Sequence, residues 1–290
     1  MRVTQSMLSQ NMLRNLSGSY MKMGKLQEQL NTGKKVNRPS DDPVVVMKGL
    51  GFGMQVARVE QFQKNLGEVN NWLDSSDDAL DVVGQILHRA RELSTNAANT
   101  GAMTESDRDM IRVELGQLQE QLQELANTKV GDKYIFSGKM TDQPLYNKTS
   151  KTYETGQSFK ENVYIEVYDG VELKVSTNAS KMFNDINDLF TKIQNEGESF
   201  DFGTAIEGID GLMGDVLQNR AEVGARSNRA ELMHNRLVMQ EGAAKKQRSE
   251  NEDIDYEKTI TDLITSESIH RATLSVGARI IQPSLVDFLR

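Results

Sequence analysis

Three histidines, His88, His234 and His270, are the side chains best placed chemically for proton transfer or metal ligation near neutral pH. Each stands alone, with no second imidazole or any thiol a helical turn away, so metal-ligand spacing is absent. Gly49, Gly51 and Gly53 suggest a phosphate loop, but they follow no predicted strand and lack the lysine and hydroxyl of a P-loop. The acid pairs Asp41-Asp42 and Asp77-Asp78 read as helix caps. There is no H-E-x-x-H, no G-x-S-x-G and no cysteine. Catalysis has no starting point here, and no cofactor is expected.

The formal charge is −8, with both signs interspersed, which argues against a nucleic-acid surface. Arg2, Arg14, Lys22 and Lys25 occur in an opening stretch free of acids and read as a solvated helix face. No apolar run approaches the roughly 20 residues that span a bilayer. MRVTQSMLSQNML has no apolar core or small-residue cleavage pattern, so no cleaved signal is expected.

Hydrophobic residues at 37%, aromatics at 6% and four prolines suit long helices with narrow apolar stripes rather than a thick core. Leu13, Leu16, Tyr20, Met23, Gln27 and Leu30 alternate spacings of three and four and predict one seam on a first helix, stopped by Asn31-Thr32-Gly33. Asp42 is the expected N-cap of a second helix with Pro43 in its first position. Val59, Phe62, Leu66, Val69, Leu73, Ser76, Leu80, Val83, Leu87, Ala90, Ser94 and Ala97 continue the alternation, giving a helix roughly 80 Å long. Ile111, Leu115, Leu118, Leu122 and Leu125 predict a third, packed antiparallel on the second, with capping groups at residues 104–107.

From about residue 130 the period shifts toward two. KYIFSG at 133–138 and NVYIEVYDGVELKVS at 162–176 predict strands, the latter a hairpin turning at Asp169-Gly170. Helical spacing returns at 181–195 and again from 203, until the polar run 241–253 interrupts the apolar pattern. A last segment, 254–289, is again apolar and periodic. The expected fold is mainly α: an elongated antiparallel helical bundle or coiled-coil rod with a small β-rich insertion. Its parts are 1–43, 44–139, 140–200, 201–250 and 251–290. The terminal segments have only each other for company, and two helices make a marginal core, so they are expected to order on assembly.

LNTGKKVNRPSDDPVVV resembles the N-terminal signature of the bacterial flagellin superfamily, and ESIHRATLSVGARIIQPSLVDFLR resembles its C-terminal assembly segment. The resemblance implies a structural, non-enzymatic flagellar component, either a junction layer between hook and filament on which flagellin polymerises or a minor filament subunit. The ends would pair in an inner layer, with the insertion projecting outward as a decoration. The candidate assembly interface is Leu13, Leu16, Tyr20, Met23, Leu30, Ile260, Leu263, Leu274, Ile281, Leu285, Phe288 and Leu289. Asn37, Arg38, Pro39, Asp41, Asp42 and Pro43 form the connector between layers. Implied partners are flagellin, the preceding junction protein, copies of the chain in a ring or helical layer, and a cytoplasmic export chaperone; nucleic acid and membrane are not. The implied destination is the extracellular flagellum, reached through the flagellar type III channel.

Overall fold

Long uninterrupted apolar periodicity becomes long uninterrupted helix. The computed structural model describes residues 5–99, 104–154, 156–195 and 201–281, and in it α1 is Gln5–Thr32, α2 Pro43–Ala98, α3 Glu105–Ala126, α5 Ser180–Asn195, α6 Phe202–Glu252 and α7 Tyr256–Ile281. Between α3 and α5 lie three two-stranded antiparallel sheets and a single-turn helix, α4 (Gln157–Lys160). The sheets pair β1 (Lys129–Val130) with β2 (Lys133–Tyr134), β3 (Tyr146–Asn147) with β4 (Thr152–Tyr153), and β5 (Tyr164–Tyr168) with β6 (Val171–Lys174). The protein is mainly α.

Two compact units form, one from residues up to Arg58 with those from Glu241 onward, the other from Val59–Gln240. In the second unit every residue of the expected α2 seam from Val59 to Ala97 is buried. A second line, Trp72, Ala79, Ile86 and Leu93, is buried beside it at spacings of seven, so α2 is covered on a wider arc than one seam. Asp74-Ser75-Ser76-Asp77 does not break the helix: Ser76 turns inward and donates to the Trp72 carbonyl at 2.7 Å. Along α6, Val216, Val223, Ala230 and Leu237 bury one residue per heptad. Arg220 clamps α6 to α2, with Nε 3.0 Å from Asp77 and Nη1 2.5 Å from Asp81. Thr104 and Asp107 close the capping box that starts α3. This helix packs on α5, where Gln119 Nε2 donates to Asn187 Oδ1 at 2.9 Å, while Glu114 reaches Arg89 of α2 at 2.7 Å.

The acid pair Asp77-Asp78 caps nothing, because it lies inside unbroken α2 with Asp77 held by Arg220. Three further expectations change. The polar run 241–253 remains helical to Glu252, because it is laced by i,i+4 pairs, Lys245 with Glu241 and Arg248 with Glu252. The strand at 133–138 ends at Tyr134. Ile135 and Phe136 are both fully buried, which alternation forbids, and the chain turns at Gly138, whose φ of +57° and contact with the Phe159 carbonyl exclude a side chain. The middle segment is no decoration: Leu145, Tyr146, Tyr153, Val167, Leu173 and Val175 belong to the same buried cluster as α2, α3 and α6. Phe183 of α5 meets Phe136 edge-on at 5.2 Å and stacks on Tyr153 at 6.3 Å. The expected hairpin forms, Gly170 turning it with φ +69°. It is tied down by Asn65 donating to the Glu166 carbonyl at 2.8 Å and by Arg236 over the Tyr168 ring at 4.4 Å.

Candidate assembly surface

Within the first unit α1 lies antiparallel against α7. The half-buried line on α1 is Met12, Leu16, Ser19, Met23, Leu26 and Leu30, a strict alternation of four and three. The facing line on α7 is Thr259, Leu263, Ser266, His270, Thr273 and Gly277, with the same alternation but small and polar residues at most places. Small side chains let the backbones approach closely, and Gly277 accepts the Met12 methyl where a Cβ would overlap it. The hydroxyls of Thr259 and Thr273 are satisfied inside the helix, donating to the Asp255 and Ile269 carbonyls at 2.7 and 2.8 Å.

Because that seam uses small residues, the large ones point elsewhere. Leu13 is 57% exposed and Tyr20 67%, and Ile260, Ile264 and Leu274 of α7 are likewise open. Tyr20, Met23, Gly24 and Gln27 border one notch of about 290 Å³ with Leu263 and Glu267, so these flanks of the two helices share a face. Tyr20 also lies 6.1 Å from the His270 ring. Of the expected interface, Leu16, Met23, Leu30 and Leu263 are therefore half-buried in or beside the α1–α7 seam, whereas Leu13, Tyr20, Ile260 and Leu274 are on the outer face. Gln27 is exposed. Apolarity alone selects Tyr20 over Ser19, and no signal in α1 announces that its partner is a line of small residues. The Ile281 side chain and all of Leu285, Phe288 and Leu289 lie outside the described residues.

At the connector, α1 ends as expected. Gly33 adopts φ +70°, its N–H donates to the Gln29 carbonyl at 2.8 Å, and a Cβ there would meet the Tyr256 hydroxyl at 2.8 Å. Asp42 caps α2, its Oδ1 accepting from Val44 N–H at 3.0 Å and Val45 N–H at 3.1 Å, with Pro43 as the first helical residue. Asp41 accepts from Arg38 N–H at 3.3 Å and pairs with Lys25 at 3.2 Å; the Lys25 ammonium holds its carboxyl below the usual range. Asn37 and Pro39 line the adjoining groove with Arg38.

The sequence carries no warning of the second crossing, which joins the first in a short antiparallel clasp. Lys35 N–H donates to the Glu252 carbonyl at 2.7 Å and Ile254 N–H to the Gly33 carbonyl at 3.0 Å, around the bridge Lys34–Asp253. Lys34 Nζ reaches Asp253 at 2.6 Å and Glu252 at 3.1 Å. The Asp253 carboxyl is pulled below its ordinary range by Lys34 first and by the Ser249 hydroxyl second, and Asp253 in turn raises Lys34.

Among the described residues no group of three His, Asp or Glu could hold a metal ion, and no helix is long and apolar enough to cross a membrane.

Residues 3–141 match the bacterial flagellin N-terminal helical region and residues 206–289 the bacterial flagellin C-terminal helical region. The chain is 23% identical to flagellar hook-associated protein 3 of Escherichia coli K12, over 94% of this chain and 95% of that one. It is 24% identical to a flagellin of Bacillus subtilis 168, over 96% of each. Among solved structures, a flagellar hook-associated protein from Vibrio parahaemolyticus superposes with a TM-score of 0.65 at 24% identity, covering 73% of this chain and all of that one. With both helical regions matched at opposite ends around a shared fold, this chain belongs to the bacterial flagellin family.

Proposed function

We propose that the protein is the hook–filament junction subunit of a bacterial flagellum, the layer on which flagellin begins to polymerise. The observation that carries this reading is the outer face of the α1–α7 pair. Leu13, Tyr20, Ile260, Ile264 and Leu274 stay open beside a seam already closed by smaller residues. A large apolar side chain left in water forgoes roughly 1.5–3 kcal/mol of burial free energy, so such a face is built to be covered.

Copies of the chain in a ring or helical layer, a preceding hook-side subunit and flagellin are the partners this reading requires. A cytoplasmic chaperone would cover the same residues before export through the flagellar channel, and the finished protein would be extracellular. Its role is structural and involves no catalytic step. The full-length likeness to hook-associated protein 3 and the form NRPSDDP support the junction. The comparable likeness to a Bacillus flagellin supports a second reading, a minor filament subunit.

Deleting the gene separates the two. Loss of a junction subunit leaves hooks without filaments and sheds unpolymerised flagellin into the medium. Normal filaments in the deletion strain would overturn the junction reading.

A further inference from the structure

The connector and the first turns of α2 enclose an open groove of about 590 Å³. Gly53 leaves part of its floor bare, the Glu252 side chain lies against Gly49, and Val36, Pro39, Val46 and Leu50 line its sides. Among the described residues its one acidic lining residue, Glu252, is taken by Lys34 at 3.1 Å and Arg248 at 3.3 Å. Arg38 is left at the mouth, 72% exposed and 3.8 Å from Glu28. The groove is thus lined largely by apolar residues, with an exposed and only loosely paired cation, Arg38, at its edge.

One segment of this chain has the matching chemistry. Residues 282–290 carry Leu285, Phe288 and Leu289 at the i, i+3, i+4 spacing by which a helix reads an apolar groove, with Asp287 among them to meet Arg38. The chain's own copy cannot reach. Helix α7 leaves the clasp at Tyr256 and runs away from it along α1, as the contact of Gly277 with Met12 fixes. Ile281 is therefore about 38 Å up the helix at the usual rise. Nine residues span at most about 30 Å even when fully extended.

We propose that this groove receives residues 282–290 of a second copy, linking copies end to end. The proposal rests on the reading that copies of the chain assemble together, and it adds which parts meet. Such a contact is head-to-tail and propagates into a ring or a helical layer.

The chain has no cysteine, so Leu50→Cys and Leu289→Cys each introduce a sole thiol. In flagella from cells co-expressing the two full-length variants, oxidation should give a cross-linked dimer at least tenfold more abundant than with either variant alone. Arg38→Glu should lower that yield severalfold. Equal dimer from Leu50→Cys alone, an internal cross-link in the doubly substituted chain, or capture of a different flagellar subunit by the Leu50→Cys thiol would each overturn the proposal. If a variant fails to assemble, a fluorescent peptide of residues 280–290 should bind the purified full-length protein and lose binding to Leu50→Asp; equal binding to both overturns it. Failure of the cross-link with the protein still located at the hook–filament boundary refutes the groove alone and leaves the junction reading standing.

Discussion

The terminal methyl of Met12 occupies the space where a Cβ at Gly277 would sit, and this contact fixes how closely α1 approaches α7. Filling that space with Gly277→Leu should push the helices apart and cost about 1–3 kcal/mol, the usual range for overpacking. Adding Met12→Ala should recover part of the loss, because the two changes act on one contact. A double-mutant cycle by denaturant unfolding measures the coupling, and strictly additive effects would contradict the packing described.

Tyr20 and Ile264 make the opposite case, since both are largely exposed in the single chain. Tyr20→Ser and Ile264→Ser should change monomer stability by no more than about 0.5 kcal/mol while sharply reducing incorporation into flagella. Quantifying the protein in purified flagella against the secreted pool checks this. Unimpaired incorporation of the double variant would mean that the face is not an interface.

The clasp should respond to pH in a defined direction. Lys34 depresses the Asp253 carboxyl, so its contribution is complete above the carboxyl's unfolded-state range and fades as pH falls through the lowered folded value. Lys34 is raised, so its share is complete below the ordinary lysine range and fades only as pH climbs past it. An NMR titration should find Asp253 ionising below the ordinary aspartate range and moving upward in Lys34→Met. An Asp253 titrating identically in both proteins would contradict the pairing.

In the Val59–Gln240 unit, burial should outweigh charge. Leu80 is fully buried, and Leu80→Ala should cost about 2–5 kcal/mol. Arg220 bridges Asp77 and Asp81 at a part-exposed site, and Arg220→Met should cost about 1 kcal/mol or less. Chemical denaturation ranks them, and a reversed order would refute the assignment of core and surface.

Replacing residues 145–178 with a Gly/Ser linker should unfold that unit, because it removes Leu145, Tyr153, Val167 and Leu173 from the buried cluster and bares Phe136 and Phe183. Retention of a cooperative melt near the parent temperature would show the segment to be dispensable after all.

How far the sequence speaks depends on what each residue meets. The α2 seam is legible because its residues, Ser76 and Ser94 apart, are apolar and meet other apolar residues, so period and burial coincide from Val59 to Ala97. The cap at Asp42-Pro43 is legible because it is set by the local backbone alone. The phase of α1 is not, because Ser19 faces inward while Tyr20 faces out, a choice made by the small residues of α7 more than 230 positions away. The clasp between Lys34 and Asp253 is equally long-range, two short polar stretches with no period to read. Ile135 and Phe136 are apolar neighbours that a strand cannot both bury, and only the turn at Gly138 resolves them.

The most direct test of the junction assignment is immunogold labelling of intact flagella with antibody against this protein. Label should be confined to the boundary between hook and filament; label distributed along the filament would contradict the assignment and identify a filament subunit.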